Sequence, residues 1–161
     1  MLRENVIKVL LWYNVLSLGI WLGGTVYQML VVVPLWSSAP PESVRAFFGG
    51  TAYNRTILHF FGPLTQLARG LPLFLLAGLA WNIQSHRLWL FASAGTMLIG
   101  LVMTRAYIYP INDVLFTRAG GDLGRAALVA LVERWVLADR VRCAIMAAGY
   151  LCLLRAFRLP L

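Results

Sequence analysis

The amino-acid sequence contains an uncharged stretch of twenty-eight residues, from position 9 to position 36. About 20 apolar residues in a helix are enough to cross the hydrocarbon core of a bilayer, so this stretch is long enough to span a membrane. It is too long for the apolar segment of a signal peptide, and no small-residue cleavage site follows it. We therefore expect a retained first transmembrane helix.

The composition of the whole chain also indicates an integral membrane protein. Hydrophobic residues make up 60% and charged residues 12% of the 161 residues, whereas about 25% are charged in soluble domains. The mean hydropathy is +0.75. The net charge of +8 does not indicate a nucleic-acid partner, because the 14 basic residues are scattered singly among apolar runs and form no basic stripe. We expect the lipid bilayer to be the partner, with anionic headgroups near the helix-end arginines.

Apolar runs and the breaks between them predict four membrane spans. The spans cover residues 9–36, 56–83, 88–109 and 126–156. Pro34 and residues 37–41 end the first span, and Pro110 should kink or end the third, because proline removes a helix hydrogen bond. We predict an all-α fold in which residues 1–161 form a single integral membrane four-helix bundle. A short interfacial helix at 42–48 follows the first span, and the fourth helix is extended and kinked.

The fourth span contains an unusual segment, residues 133–142, with five charged side chains and no glycine or proline. A charge at the bilayer centre costs at least about 2.5–3.5 kcal/mol, so ionisable groups in a membrane helix are paired or face an interior. Trp135, Asp139 and Arg142 share one helical face, whereas Arg140 points away from it. Asp139 and Arg142 are three residues apart and can touch. We interpret this face as the wall of a polar site.

Polar side chains on all four predicted spans fall at the end of the bundle that holds the first and third loops. They are Trp21, Thr25 and Gln28 on the first span, Arg55, His59 and Gln66 on or beside the second, Arg105, Tyr109 and Asn112 on the third, and Trp135, Asp139 and Arg142 on the fourth. Four such stripes predict a polar-lined intramembrane pocket, and its apolar surroundings favour a small apolar or aromatic ligand.

Two of these residues are candidates for catalysis. His59, oriented by the carboxylate of Asp139, would form a general base. An oxygenase that uses neither metal nor flavin needs such a base to deprotonate an electron-rich substrate, and cations such as Arg105 and Arg142 to hold the resulting anion. Metal binding is not expected, because His59 and His86 are predicted at opposite membrane faces. There is no phosphate-binding glycine loop and no nucleophilic serine motif, so we expect no cofactor.

Several short motifs carry a family resemblance. The first span contains Gly-Ile-Trp-Leu-Gly-Gly and ends in Val-Pro-Leu-Trp, Tyr-Pro-Ile-Asn ends at Asn112, and Trp135 opens the pattern Trp-x-x-x-Asp-Arg-x-Arg. Together these resemble the anthrone-oxygenase-like family of small four-helix membrane proteins, a domain of unknown function in most bacterial members. The resemblance implies that fold and, through some fungal members, oxidation of anthrones to anthraquinones. Asp139 stands where the family usually has Asn or His, so the resemblance transfers no acid–base role to it.

Two other classes of protein remain open from the sequence. The chain could be a non-catalytic structural or accessory subunit of a membrane complex, which requires a fully paired Asp139. It could also be an oligomeric transporter or channel in which Arg69, near the middle of the second span, lines an anion path. An enzyme requires an enclosed pocket with Asp139 or His59 pointing into it. We expect a bacterial inner-membrane protein with cytoplasmic termini, because the turn at 82–87 and the termini are basic.

Overall fold

The computed structural model describes residues 1–49, 59–118, 121 and 123–161, and all regular secondary structure in these ranges is helical. The α-helices used below are α1 (Leu2–Tyr27), α2 (Val33–Ser37), α3 (Glu42–Phe48), α4 (Pro63–Leu79), α5 (Gln84–Met103), α6 (Tyr109–Asn112) and α7 (Arg125–Phe157). Five-residue π-helical segments lie at Gln28–Val32, Thr104–Ile108 and Asp113–Thr117.

Three helical stretches of the described chain are long and apolar enough to cross a membrane. They are Leu2–Ser37, His59–Leu79 and Gln84–Phe116. The all-helical class and the membrane character are therefore confirmed. The fourth predicted span corresponds to α7, which is one continuous helix of 33 residues. It is not among the three apolar stretches, because residues 133–142 place five charges near its middle. The four-helix bundle stays a prediction.

The ends of two predicted spans need correction. The second span was expected to end at residue 83, but its helix ends at Leu79 and residues 80–82 form a turn. The third span was expected to stop near Pro110, but helical structure continues to Phe116. Residues 56–58 of the second span lie outside the described residues. The short helix predicted at 42–48 is present as α3, Glu42–Phe48.

The helices pass Pro34 and Pro110 without ending because a π-helical segment precedes each proline. Proline lacks an N–H, and in an α-helix its ring clashes with the carbonyl four residues earlier. In the π segments the bonds run five residues back, from the N–H of Val33 to the carbonyl of Gln28 and from the N–H of Tyr109 to that of Thr104. The wider turn changes the path of the chain just before the proline. Such single π turns often occur at functional sites.

The chain divides into two compact units. The first comprises Met1–Gly24, Pro63–Gly100 and Ala144–Leu161, and the second comprises Thr25–Gly62 and Leu101–Cys143.

Helices in the first unit approach one another closely at two glycines. A Cβ added to Gly19 of α1 would lie 2.7 Å from the hydroxyl oxygen of Tyr150. A Cβ added to Gly149 of α7 would overlap Thr96 of α5, whose hydroxyl is fixed by donation to the Ser93 carbonyl at 2.8 Å. Small residues that let backbones approach are a common basis of helix association in membranes.

The second unit is built around buried aromatic rings. Trp36, Phe48, Phe116 and Trp135 are all buried, and the Phe48 and Phe116 rings stack with centroids 4.4 Å apart. Helix α3 contributes Phe48 and the fully buried Val44 to this cluster. Aromatic pairs in such edge-to-face and offset arrangements stabilise by about 0.5–1.5 kcal/mol beyond the area they bury. The cluster positions α2, α3 and α7 around Trp135.

We predict opposite effects for the same substitution at two glycines of the first unit. Gly149→Ala should lower the free energy of unfolding by about 1–3 kcal/mol, because the new methyl group overpacks against Thr96. Chemical unfolding in detergent, followed by circular dichroism, measures this change.

Gly95→Ala is the matched control, because a Cβ at Gly95 of α5 would meet no atom within 4 Å. That substitution should raise stability by about 0.5–1 kcal/mol through the higher helix propensity of alanine. Equal effects at the two positions would contradict the close approach of α5 and α7.

Candidate functional site

Trp135 of α7 is the centre of the candidate site in the second unit. Its side chain is 1% exposed, and its ring meets that of Trp36 edge to face with centroids 5.0 Å apart. Its Nε1–H donates a hydrogen bond of 2.6 Å to Oδ1 of Asn112. A buried indole usually needs such an acceptor. Both the orientation and the polar edge of Trp135 are thus fixed.

The two residues that hold Trp135 occupy equivalent places in the chain. Trp36 follows Pro34 by two residues, and Asn112 follows Pro110 by two. In both cases a π-helical segment comes just before the proline. The Pro-x-Asn motif and the opening of the Trp-x-x-x-Asp-Arg-x-Arg motif are therefore joined by one hydrogen bond.

Asp139 and Arg142 form a buried ion pair one and two turns further along α7. Asp139 is 1% exposed and Arg142 is 8% exposed, and Nη2 of Arg142 donates to Oδ1 of Asp139. Nη1 of Arg142 donates to the hydroxyl of Thr104 at 3.2 Å. Thr104 opens the π-helical segment before Pro110. The sequence prediction that these two charges touch agrees with this geometry.

The pair leaves hydrogen-bonding capacity unused. Oδ2 of Asp139 and Nε of Arg142 are buried and have no partner among the described residues. The same holds for Oε1 of Gln28, in the π-helical segment that follows α1. A buried polar atom without a partner costs about 1–3 kcal/mol, so such atoms indicate a place where a polar ligand group or water is bound.

A pocket of about 280 Å³ lies beside Asp139. It is lined by Met29, Val33, Pro34, Ser37, Ser38, Trp135, Val136, Asp139 and Arg140. Five of these lining residues are apolar and four are polar or charged, so a ligand in the pocket meets both kinds of surface, as in small-molecule sites. Sequence reasoning missed Ser37 and Ser38, which were taken only as the end of the first span. It also directed Arg140 away from the site, although Arg140 lines the same pocket as Asp139.

The other predicted site residues of the second unit are placed as follows. The guanidinium of Arg105 lies 5.8 Å from the ring centroid of Tyr109; Arg105 is exposed and Tyr109 half-buried. Thr25 and Gln28 are buried. His59 is exposed, and among the described residues no hydrogen bond or ion pair joins it to Asp139. Arg55 lies outside the described residues.

Trp21 and Gln66 belong to the first unit. Trp21 is buried, and the guanidinium of Arg69 lies 5.5 Å from its ring centroid, a cation–π contact that gives this mid-span arginine one favourable neighbour. Gln66 is half-buried. No group of three or more metal-ligating side chains occurs in the part of the chain that the structure describes.

Three helical stretches long and apolar enough to cross a membrane indicate a helical membrane protein. The anthrone oxygenase family profile matches residues 50–152, which is more than half of the chain. The protein therefore belongs to the anthrone oxygenase family. Comparisons with curated proteins and with solved structures give no match.

We predict that Trp135 and Asn112 are energetically coupled through their hydrogen bond. Trp135→Phe and Asn112→Ala should each lower the free energy of unfolding, in part because the remaining buried partner loses its hydrogen bond. A double-mutant cycle in detergent should give a coupling energy of about 0.5–3 kcal/mol. Pairing Trp135→Phe with Asp113→Asn, at an exposed neighbour of Asn112, should give none. A zero coupling in the first cycle would exclude the bond.

We predict that replacing one partner of the Asp139–Arg142 ion pair lowers the free energy of unfolding more than replacing both. Arg142→Met should destabilise by about 3–5 kcal/mol, because it leaves the Asp139 carboxylate buried without a cation. Combining it with Asp139→Leu should recover most of the loss, since no buried charge then remains. Unfolding midpoints of both variants measure this difference. If the double variant is no more stable than Arg142→Met, burial of an uncompensated charge is not the cause.

Proposed function

We propose that this protein binds a small, largely apolar aromatic molecule in the pocket beside Asp139 and oxidises it with dioxygen. The observation that carries the proposal is the buried carboxylate oxygen Oδ2 of Asp139, which has no described partner and belongs to a residue that lines a pocket of about 280 Å³. Such an oxygen can accept a proton from a ligand. Membership of the anthrone oxygenase family supports an anthrone-type substrate.

The proposed reaction converts an anthrone and dioxygen into an anthraquinone and water. Asp139 removes one proton from the substrate methylene carbon, which forms an electron-rich anion. The anion transfers an electron to dioxygen, and the resulting radical pair joins to form a carbon-bound peroxide. Asp139 returns its proton to the outer peroxide oxygen and then removes the second methylene proton, which cleaves the O–O bond, forms the new carbonyl and releases hydroxide. Hydroxide takes up the proton held by Asp139, so that one oxygen atom enters the product and the other leaves as water.

The surrounding residues support this assignment of roles. Arg140 lines the pocket and can hold the substrate oxyanion, while Arg142 holds the Asp139 carboxylate in position. Trp135 and Val33 provide apolar wall for a flat ring. Stabilising the developing negative charge in a site of low dielectric constant is commonly the largest part of such catalysis. His59 is an alternative base, and its exposed position makes Asp139 the stronger choice.

A second candidate function is that of a non-catalytic subunit. Arg142 satisfies one oxygen of Asp139 and also bonds Thr104, as structural pairing between helices requires. In that case the protein would bind no aromatic ligand, and its activity would be that of a larger complex.

We also propose an inner-membrane location with cytoplasmic termini. Arg3, Lys8, Arg155 and Arg158 lie near the two ends of the chain, where Glu4 is the one acidic residue. An excess of basic residues marks the cytoplasmic side of membrane helices.

The test is oxygen consumption and anthraquinone formation by the purified protein in lipid nanodiscs, with anthrone as the substrate. Wild-type protein should exceed the spontaneous rate, and Asp139→Asn should lower the catalysed rate by about 100-fold or more. Glu133→Gln is the control, because Glu133 is an exposed acid on the same helix, and it should leave the rate unchanged.

A pocket-filling variant separates loss of chemistry from loss of fold. Val136→Trp should block the pocket while the Asp139–Arg142 pair remains, so that anthrone no longer binds and turnover ends. Native mass spectrometry, followed by organic extraction of whatever co-purifies, should find an aromatic ligand on wild-type protein and none on this variant. A folded Asp139→Asn protein with full turnover would contradict the assignment of Asp139 as the catalytic base. A wild-type protein that neither binds nor oxidises anthrone would favour the subunit.

A further inference from the structure

The first unit carries a strong excess of positive charge. Its six basic side chains are Arg3, Lys8, Arg69, Arg87, Arg155 and Arg158, and its one acidic side chain is Glu4. All of these except Arg69 are exposed. Glu4 pairs with Lys8 at 3.1 Å, and exposed pairs of this kind contribute little and exchange readily with other partners. In the second unit, by contrast, Arg118, Arg125 and Arg142 each contact an acidic side chain.

Two of these basic residues are fixed near the turn between α4 and α5. Arg3 donates from Nε and Nη2 to the carbonyl oxygen of Leu79, at 3.2 and 2.5 Å. The guanidinium of Arg87 lies 5.8 Å from the ring centroid of Trp81. Trp81 is half exposed, as is typical of tryptophans at the boundary between lipid chains and headgroups. This end of the first unit therefore has the composition of a headgroup-facing surface.

A pocket of about 260 Å³ opens beside Lys8. Its other lining residues are Leu11, Trp12, Phe157, Leu159 and Leu161, all apolar. The rings of Trp12 and Phe157 meet edge to face at a centroid distance of 4.7 Å, and Trp12 is 57% exposed. Arg158 stands in the chain between two of the lining residues. Apolar walls beside one lysine, with an arginine next in sequence to a lining residue, match an amphiphile that has a negatively charged head.

We propose that this pocket is a binding site for an anionic phospholipid. The phosphate lies at Lys8 and Arg158, and an acyl chain packs against Trp12 and Phe157. Basic side chains next to a membrane attract anionic lipids, and the charge excess of this unit supplies the complementarity. A water-soluble phosphate would leave the apolar walls exposed, so the lipid is the better fit. The site is independent of the proposed oxidation in the second unit.

The test is lipid binding by native mass spectrometry of the full-length protein, with phosphatidylglycerol titrated against phosphatidylcholine. Wild-type protein should prefer phosphatidylglycerol. Lys8→Gln combined with Arg158→Gln should weaken that binding by about 25-fold, from about fivefold for each basic residue. Arg45→Gln combined with Arg134→Gln is the control, because it removes the same charge from exposed positions of the second unit, and it should retain the wild-type affinity.

A second variant tests the apolar wall with all charges in place. Wild-type protein should bind long-chain phosphatidylglycerol more tightly than the dihexanoyl form, and Trp12→Ala should reduce that difference. Equal losses in the two charge variants would overturn the proposal, because they indicate attraction to net charge alone. Displacement of the lipid by glycerol 3-phosphate at similar concentration would also overturn it, because it indicates a site for the free phosphate.

Discussion

The second unit depends on the neutralisation of a carboxylate that has almost no access to solvent. Asp139 is 1% exposed, and an unpaired charge at such a position is far too costly to persist. Arg142 provides the cation from the same helix, and Thr104 fixes Arg142 from another. The ion pair therefore requires α7 and the helical segment that begins at Thr104 to keep a fixed position along each other. It also leaves one carboxylate oxygen unused beside a pocket, so the residue pair can serve both the structure and a ligand.

Trp135 connects α7 to the other segments of the second unit. Its ring packs against Trp36, and its N–H bonds Asn112, so that segments far apart in sequence meet on one side chain. The family motifs are thus contacts in three dimensions as well as patterns in sequence. Because Trp135 also lines the pocket, a ligand there would rest against a surface that the fold itself holds rigid. Preorganisation of this kind reduces the entropy lost on binding.

The sequence predicted the helical class, the membrane character and the family, because long apolar runs and short motifs are local signals. It also predicted the contact between Asp139 and Arg142, since three residues on a helix determine their proximity. It ended the third span at residue 109, before Pro110, whereas helical structure continues to Phe116, because a π turn that absorbs a proline leaves no composition signal. It missed Ser37, Ser38 and Arg140 as pocket residues for a related reason: the cleft depends on tertiary packing, which a helical wheel of one span does not contain.

The π turns have a consequence for the spacing of the buried residues. Along α1 and into the π-helical segment that follows it, the buried positions are Ile7, Leu11, Asn14, Leu18, Trp21, Thr25 and Gln28. They alternate steps of four and three and so follow a heptad repeat. After the π turn the next buried positions are Val33 and Trp36, one residue later than that repeat requires. The π turn therefore shifts the pattern of buried positions by one residue relative to the heptad repeat. Pro34 lies just beyond the π turn, and the helix continues past it with its buried face displaced by one residue.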